Sequence, residues 1–413
     1  MPATDLQGSS PSTHAHSSPF PSFGRTLLSL RRDAPAAAMP PPRGAGPELG
    51  DFHAHVAVRL AGLSAPGGEE FMSVAWVRRL LEAFLLCQEE FRAAVAEARR
   101  RGGGVTAPAD AEKLVAEVGE RAVRALDVCN AARDGVDQAR RWERLAGLAA
   151  SALLAPAEGQ VHEGQLWRAR KALSDLSLLL ADDAAAASAG AGGGLASFLA
   201  SHRNRSFGRA RASPSRASPS AHLRSLSWSV SRTWSAARQL QAIGAGLAAP
   251  RATEASCGFA APAYAMGCLL HLAAWALVAA VPCPDRAAAL QAHHLPAAPP
   301  RAAFPWAPPL LALQERLAEE GRRKDRRSSC GLLREIHALD KCAQRLAEAI
   351  DAAPVPLTGE REAELREAAA ELAAACSAIK DGLDPLERQV RELFHRIVRS
   401  RMAGLDPPMA NAD

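Results

Sequence analysis

A nineteen-residue apolar segment in the second half of the chain constrains the fold more than any other feature. It reads AYAMGCLLHLAAWALVAAV at Ala263–Val281, carries no charged side chain, and is flanked by Pro262 and Pro282. As an α-helix it would be about 28 Å long, close to the ~30 Å hydrocarbon core of a bilayer. The segment is therefore either a membrane span or a helix buried inside a helical bundle, and the alternatives place the flanking halves of the chain differently.

The composition of the segment and its neighbours favour burial. Seven of the nineteen residues are alanine, so membrane insertion would depend on the remaining apolar side chains. Both flanking halves carry long apolar stripes, and a central helix that is apolar on every side would cover them. The membrane span stays as the alternative, and its candidate residues are Ala263, Leu269, Leu270, His271, Trp275 and Val281. We interpret His271 as a neutral, hydrogen-bonded core histidine rather than a proton relay or a metal ligand.

The composition predicts an all-α protein. Alanine is abundant, aromatic residues make up 5% of the chain, and no run alternates apolar with polar residues as a half-buried strand would. We expect an elongated multi-helix bundle with coiled-coil-like C-terminal helices, a disordered N-terminus and a disordered Arg/Ser-rich insert.

Changes in composition along the chain predict its organisation. The predicted regions are a disordered N-terminal region (1–48), a helical hairpin plus a third helix (49–180), an Ala/Gly linker with the Arg/Ser-rich disordered insert (181–221), a basic amphipathic helix (222–250), the apolar helix (258–283), a Pro-rich connector (284–308), a C-terminal helical hairpin (309–403) and a tail (404–413). Within the second of these regions (49–180), the apolar spacing predicts that the second helix starts near Pro108 and continues to about Leu154.

The C-terminal hairpin has the most regular pattern. Apolar residues alternate spacings of four and three, as in the seam of a coiled coil. They are Leu332, Ile336, Leu339, Ala343, Leu346 and Ile350, then Leu365, Ala369, Leu372, Cys376, Ile379, Leu383, Leu386, Val390, Leu393 and Ile397. Pro385 interrupts the second series, so we expect a kink or a helix restart there that preserves the buried face.

A basic insert holds the positive charge of the protein. Between residues 184 and 253 there are nine arginines and no acidic residue, whereas the whole chain has a net charge of +5. The candidate surface or membrane-contact residues are Arg203, Arg205, Arg209, Arg211, Arg216, Arg224, Trp228, Arg232 and Arg238. The pattern fits a helix packed on the bundle with its arginines in water, a contact with anionic lipid, or an acidic protein partner. We expect no nucleic-acid binding, because no base-reading module accompanies the charge.

Two serines in the insert are candidate phosphorylation sites. Ser213 and Ser218 each precede a proline within an arginine-rich context. Two phosphates would add roughly −3 to −4 of charge and cancel much of the local positive charge. The sequence thus predicts an electrostatic switch on the insert.

No constellation in the sequence predicts catalysis. There is no phosphate-binding glycine motif, no nucleophile elbow, and no histidine or cysteine spacing that would hold a metal. We interpret the pairs His53/His55 and His293/His294 as solvent-exposed. We therefore expect no catalytic, cofactor-binding or metal-binding residues, no cofactor, no small-molecule substrate, and a protein that is not an enzyme.

The targeting features indicate an intracellular protein. The eight cysteines are scattered without a C-x-x-C pair, which is typical of a reducing compartment. The N-terminus lacks the basic-then-apolar order of a secretory signal peptide. It is rich in serine and proline and carries a few arginines, as a plastid transit peptide does, but we expect no plastid targeting.

Several blocks distributed over nearly the whole chain resemble one plant family. They are MPATDLQGS, FGRTLLSLRR, FLLCQEEF, RALDVCNAARDGVDQARRW, LRSLSWSVSRTWSAARQLQAIG, WALVAAVPCPDR and GLDPLERQVRELFHRIVRSR. These blocks are similar to the BYPASS-like/ROH-like proteins, and the opening residues and the insert resemble the ROH-like branch most. The resemblance implies an all-helical, non-enzymatic protein.

The resemblance also implies partners and location. Members of the family have been linked to exocyst subunits, polarised secretion and deposition of cell wall or mucilage, and others to a mobile root-derived growth signal. We therefore expect an adaptor that binds an exocyst subunit through exposed parts of its coiled-coil-like face. It would be cytoplasmic, with a peripheral contact to an anionic membrane surface. The alternative is a single-pass membrane protein that regulates a mobile developmental growth signal.

Overall fold

A computed structural model describes residues 47–64, 71–101, 109–154, 161–188, 230, 234–250, 259–290, 304–322, 331–353 and 357–403. All of them belong to the compact unit Pro41–Asp413; the other unit, Met1–Pro40, lies outside the described residues, as do residues 41–46 of the predicted N-terminal region and the predicted tail. The helices are α1 (Pro47–Ser64), α2 (Val74–Arg101), α3 (Ala109–Arg124), α4 (Leu126–Leu154), α5 (Glu163–Ser188), α6 (Ala236–Gly244), α7 (Ala260–Ala280), α8 (Arg286–Ala289), α9 (Ala307–Arg322), α10 (Arg334–Asp351) and α11 (Gly359–Ala403).

The described residues contain helices and no strand, which confirms the all-α prediction. The physical reason is the one the composition indicates: alanine, leucine, glutamate and arginine dominate the helices and lose little side-chain freedom there. Apolar residues on α2, α4, α10 and α11 recur every three or four positions, so each helix has a face to bury. The fold is therefore set by how these faces cover one another.

The apolar segment forms α7, which lies at the centre of the described helices. It contacts α1, α2, α3, α4, α6, α8 and α9. Every residue from Pro262 to Ala280 is buried. A helix with no polar face gains from being covered on all sides, and these neighbours provide that cover.

The N-terminal and C-terminal halves meet at the C-terminal end of α7. The backbone N–H groups of Leu332 and Leu333 donate to the carbonyls of Ala279 and Ala280, at 2.8 and 3.3 Å. These bonds satisfy carbonyls that a helix end otherwise leaves without partners. In the same region Arg334 N–H donates to the Met72 carbonyl at 3.1 Å.

A side chain of α10 also caps α2. The Glu335 carboxylate accepts a hydrogen bond from the backbone N–H of Val74 at 3.0 Å. A carboxylate at a helix N-terminus satisfies a free donor and complements the helix dipole. The two halves of the chain are therefore joined directly beside the end of the central helix.

The coiled-coil-like seam of the C-terminal helices is covered within the chain. α11 packs mainly on α4, and also on α10, α2 and α3. Every seam residue from Leu365 to Ile397 is buried, as are the seam residues of α10. The seam is a core surface of this bundle, so it leaves no apolar stripe of its own for a partner.

Two helix boundaries differ from the prediction in the N-terminal half. The predicted helix from Pro108 to Leu154 is interrupted at Ala125, where α3 ends and α4 begins. α5 continues to Ser188, into the predicted Ala/Gly linker, because ADDAAAAS is alanine-rich and glycines follow only from Gly190. In addition, α1 precedes the predicted hairpin, so this half holds more helices than expected.

Two differences concern the second half. The short helix α8 lies in the predicted Pro-rich connector. α11 runs through Pro385 as one helix instead of restarting there. Proline cannot donate the hydrogen bond to the carbonyl four residues earlier, which costs about 3 kcal/mol in a helix interior. The buried side chains of Leu383 and Leu386 on either side of Pro385 stabilise the continuous helix.

The basic amphipathic helix predicted over 222–250 is shorter in the structure. α6 begins at Ala236, after Ser235 adopts an extended conformation and its Oγ accepts a hydrogen bond from Arg238 N–H at 3.3 Å. Trp234 is not helical, and residues 247–250 are not helical either. Serine is a favoured N-cap, and its capping fixes the start of the helix. Residues 222–229 and 231–233 lie outside the described residues.

Candidate protein-binding surface

The candidate membrane-span residues all lie in the core. Ala263 is 7% exposed, and Leu269, Leu270, His271, Trp275 and Val281 are buried as well. Among the described helices, α7 is the one long and apolar enough to cross a membrane, with a mean hydropathy of 1.7 over its most apolar window. All of that window is buried by other helices, which is the environment of a core helix.

His271 packs against the last residue of α6. A Cβ atom on Gly244 would lie 2.6 Å from Cε1 of the His271 ring, so only glycine allows this approach. Gly244 is also where α6 ends. The histidine therefore belongs to the packing between α6 and α7, as expected for a core residue.

Cationic side chains of α3 bind the C-terminal end of α6. Arg121 donates to the carbonyls of Ile243 and Ala245, the latter at 2.9 Å, and Arg124 donates to the Ala242 carbonyl at 2.9 Å. Guanidinium groups satisfy the free carbonyls there and complement the negative end of the helix dipole. The carboxyl end of the basic insert is thus a fixed part of the bundle.

The remaining basic-insert predictions fall mostly outside the described residues. Arg203, Arg205, Arg209, Arg211, Arg216, Arg224, Trp228, Arg232, Ser213 and Ser218 all lie in undescribed segments. Arg238 is the described member of the set, and it is exposed on α6. The other face of α6 is buried through Ala237, Leu240 and Ile243. One face of α6 therefore packs on the core, and Arg238 on the other face is exposed to solvent.

The described cysteines are free thiols with raised pKa values. Burial raises the pKa of Cys129, Cys268, Cys283 and Cys376 to about 12, and that of Cys87 to about 11. A thiol needs a lowered pKa to act as a nucleophile near neutral pH. These cysteines are therefore packing residues.

The prediction that both members of the first histidine pair are solvent-exposed is wrong for His53. His53 is half-buried, and its Nδ1 accepts a hydrogen bond from Trp306 Nε1 at 3.0 Å. Its ring stacks on Phe304 with a centroid distance of 6.0 Å. His55 is exposed and lies 3.3 Å from a carboxylate oxygen of Glu90. The residues before α9 cover His53, and the sequence around the histidine gives no sign of them.

An apolar groove lies on the outer surface between α4 and α5. We call it the α4–α5 groove, and its volume is about 420 Å³. Its apolar lining comes from Leu145, Leu148, Ala152, Trp167 and Ala172. Two of these are strongly exposed for their size, Leu148 at 61% and Trp167 at 63%.

The rim of the groove is polar and charged. Arg168 and Lys171 lie along α5, and the Lys171 ammonium is 3.2 Å from the Asp175 carboxylate. Leu178 continues the exposed apolar surface along α5 and is 64% exposed. An apolar centre bordered by charges of both signs is the arrangement of a protein-binding surface.

Sequence reasoning missed this groove, although one signal for it exists. On α5, Trp167 and Leu178 are eleven residues apart, so they share a helix face. That face is opposite the buried residues Leu166, Leu173 and Leu176. A tryptophan and a leucine on the side of a helix that should be polar mark an uncovered surface.

The fold and the groove define an all-helical bundle protein with a large apolar groove on its described surface. A family model described as Protein ROH1-like matches residues 15–407, so the chain belongs to the ROH1-like family. This confirms the resemblance seen in the sequence. The chain is 42% identical to Protein ROH1D of Arabidopsis thaliana over 98% of both chains. It is 35% identical to Protein ROH1A of the same plant, over 82% of this chain and 80% of the relative. No solved structure matches the chain.

Proposed function

We propose that this protein is a non-enzymatic helical adaptor that binds a helix of a partner protein in the α4–α5 groove. The observation that carries the proposal is the exposure of two large apolar side chains, Trp167 and Leu148, that line the same groove. Tryptophan is among the residues that contribute most to binding when a partner buries them. An exposed pair of this kind favours a binding role over a structural one.

The shape of the groove supports a helical ligand. α4 and α5 pack on each other, and a groove between two packed helices fits the ridge of a third. The charged rim of Arg168, Lys171 and Asp175 would pair with the polar flanks of an amphipathic helix. This is the helix-in-groove mode of recognition, in which apolar anchors recur every three or four residues.

We propose an exocyst subunit as the partner and polarised secretion, with deposition of cell wall or mucilage, as the process. The family resemblance supports this choice of partner, and the groove supports the mode of contact. The adaptor would work in the cytoplasm at the inner face of a membrane. The described cysteines do not supply it with a nucleophile near neutral pH, because burial raises the pKa of thiols such as Cys87 and Cys129.

Binding to purified exocyst subunits tests the proposal. Trp167→Ala in the full chain should weaken binding at least tenfold, the effect of losing a central tryptophan anchor. Val58→Ala is the matched control, because Val58 is 71% exposed on α1, outside the groove. Isothermal titration calorimetry of both variants decides the outcome. The proposal is contradicted if Trp167→Ala leaves binding unchanged, or if the protein binds no subunit. If the protein instead forms a concentration-dependent dimer that Trp167→Ala abolishes, the groove is assigned to a second copy of this chain.

We also propose that the arginines of the insert hold the adaptor at an anionic membrane surface. Each arginine near such a surface contributes about 1 kcal/mol, so several suffice for association. Phosphorylation of Ser213 and Ser218 would weaken it by adding negative charge. In a vesicle pelleting assay, aspartate at both serines should reduce pelleting relative to alanine; equal pelleting contradicts the switch.

A single-pass membrane protein that regulates a mobile growth signal is the second candidate. The length and the hydropathy of α7 favour it. It requires the N-terminal and C-terminal halves to lie on opposite sides of a bilayer. The hydrogen bonds of Leu332 and Leu333 to α7, and of Arg334 to Met72, support the adaptor instead, because they join the two halves.

A further inference from the structure

A second pocket lies where the first turns of α4 meet the last third of α11. We call it the α4–α11 pocket, and its volume is about 140 Å³. Its apolar lining, which we call the floor, is Cys129, Val390 and Phe394, and its polar lining, which we call the rim, is Asn130, Arg133, Glu387, Arg391 and His395. The one carboxylate among them, that of Glu387, is paired with Arg391. Arg133 is about 22 Å along α4 from Leu148, at 1.5 Å per residue, so this pocket is separate from the α4–α5 groove.

The size and the floor of the pocket indicate what it can hold. Small-molecule sites are usually at least ~300 Å³, so a pocket of about 140 Å³ is too small for a cofactor. Cys129 and Val390 are 2% and 3% exposed, and Phe394 is half-buried, which makes the floor apolar. Burial raises the pKa of the Cys129 thiol to about 12, so the floor carries no charge near neutral pH. The pocket therefore suits one apolar side chain.

The rim continues into an exposed basic stripe along α11. Arg388, Arg391, His395, Arg399 and Met402 recur every three or four residues on the face opposite the buried seam. All five are exposed, Met402 at 63%. The stripe thus places cationic groups on both sides of the pocket opening and ends on an apolar side chain.

The stripe keeps a positive balance after its internal ion pairs are counted. Pro385–Met402 contains five arginines and two glutamates. Glu387 is held by Arg391 and, at 2.7 Å, by Arg140 of α4, and Glu392 lies 2.7 Å from Arg396 and 3.3 Å from Arg399. Arg396 also lies 3.3 Å from Glu89 of α2, and Arg401 lies 2.5 Å from Glu120 of α3. With these two acids counted, five arginines face four carboxylates, so a small positive surplus is left to bind further carboxylates.

We propose that the α4–α11 pocket and the basic stripe bind an acidic segment of a protein partner, with one apolar side chain of that segment inserted into the pocket. Carboxylates of the segment pair with Arg133, Arg388 and Arg391, and the apolar side chain covers the floor. Charge complementarity sets the orientation and speed of association, and the buried anchor supplies affinity. A phosphate headgroup would satisfy the arginines and leave the apolar floor uncovered.

A defined peptide tests the proposal on the full chain. The probe is a short fluorescein-labelled peptide of glutamate and aspartate with one central leucine, measured by fluorescence anisotropy at low ionic strength. Replacing the leucine with glycine should weaken binding about tenfold, because complete burial of a leucine is worth at least that factor. This comparison uses the unaltered protein, so it does not depend on how any variant folds.

Protein variants separate the pocket from the charge. Asn130→Phe, which fills the pocket, should weaken binding of the leucine peptide about tenfold. Its affinity should then equal that of the glycine peptide. Arg133→Glu should weaken binding of both peptides about fivefold at low salt. Arg361→Glu is the matched control, with the same charge change on α11 at an exposed ion pair with Glu364; it should change neither.

Three results would overturn the proposal. Equal affinity for the leucine and glycine peptides would reduce the site to non-specific charge attraction. An unchanged affinity in Asn130→Phe would place the leucine elsewhere. The protein could instead pellet with phosphatidylcholine–phosphatidylserine vesicles, lose this pelleting in Arg388→Glu, and bind neither peptide. That result would assign the stripe to a membrane. Trp167→Ala should leave peptide binding intact, so failure here and failure of the α4–α5 groove are distinguishable.

Discussion

His53 shows how a single residue depends on a distant part of the chain. It lies on α1, yet its hydrogen-bond partner Trp306 and its stacking partner Phe304 come from the segment before α9. Burial lowers the pKa of His53 to about 4. The ring is therefore neutral near pH 7, which agrees with Nδ1 accepting a hydrogen bond from the indole N–H.

The lowered pKa of His53 predicts how stability depends on pH. Between pH 6.5 and about 4 the unfolded chain binds a proton at this residue and the folded chain does not, so stability falls as pH falls. The loss should approach about 3 kcal/mol at pH 4 relative to pH 7. The comparison is urea unfolding of the protein and of His53→Phe. The difference in unfolding free energy between them should shrink or reverse on acidification; a difference that is constant with pH contradicts the account.

Gly135 predicts a packing limit between α4 and the residues that follow α7. A Cβ atom at this position would lie 2.4 Å from the carbonyl oxygen of Pro282 and 2.8 Å from Cγ2 of Val281. Gly135→Ala should therefore lower the unfolding free energy by about 1–3 kcal/mol through overpacking. Gly119→Ala on α3 is the control, since nothing lies within 4 Å of its Cβ position. It should raise stability by about 0.5–1 kcal/mol, and the same sign for both variants would contradict the packing.

At the scale of elements, Arg140 joins α4 to α11 beside Pro385. Its guanidinium lies 3.0 Å from Asp137, 2.6 Å from Asp384 and 2.7 Å from Glu387. Burial lowers the pKa of Arg140, but the hydrogen bonds to Asp384 and Glu387 outweigh that effect and the pKa is raised. The cluster thus stabilises α11 where the proline removes a backbone hydrogen bond.

Arg140→Met should therefore cost more than the loss of an ordinary surface ion pair. The arginine side chain is 26% exposed and Glu387 is 17% exposed, so the pair is only partly screened by water. We expect a loss of about 1–2 kcal/mol in unfolding free energy. Arg345→Met, which removes the exposed pair between Arg345 and Glu371, should cost at most about 0.5 kcal/mol. Chemical denaturation measures both, and equal losses would mean that the cluster has no special role.

Helix identity could be predicted from the sequence more reliably than helix boundaries. The four-and-three spacing in α10 and α11 correctly predicted that every seam residue is buried. The reason is that the helical repeat that spaces the apolar residues in the sequence also puts them on one packed face. The start of α6 could not be placed, since it depends on Ser235 capping the helix and on its Oγ bonding to the carboxylate of Asp285. At Pro385 the predicted preservation of the buried face is confirmed, but the alternative of a helix restart is wrong, because packing on α4 outweighs the local preference of proline.

The candidate binding surfaces depend on the whole molecule. The sequence shows that Trp167 and Leu178 share a helix face, but that they line or extend a groove depends on how α4 and α5 pack. The basic stripe of α11 is visible in the sequence as a run of arginines. Its link to a pocket is not visible, because Cys129 and Val390 are more than two hundred residues apart in the chain. Exposure is a property of the assembled bundle.

The central claim concerns the whole molecule: α7 is a core helix around which both halves of the chain pack. Its neighbours include α1 and α2 from one side of the sequence and α9 from the other. Leu332 and Leu333 close its C-terminal end, and Glu335 caps α2. A bilayer around α7 would require all these contacts to be absent.

Alkaline carbonate extraction of membranes from cells that express the full chain tests this claim most directly. A protein held at a membrane surface by arginines is released, because high pH and dilution disrupt peripheral contacts, whereas a helix in the hydrocarbon core stays with the lipid. We predict that the protein is found in the supernatant. Its retention in the pellet alongside an integral membrane marker would contradict the claim that α7 is buried by its own chain.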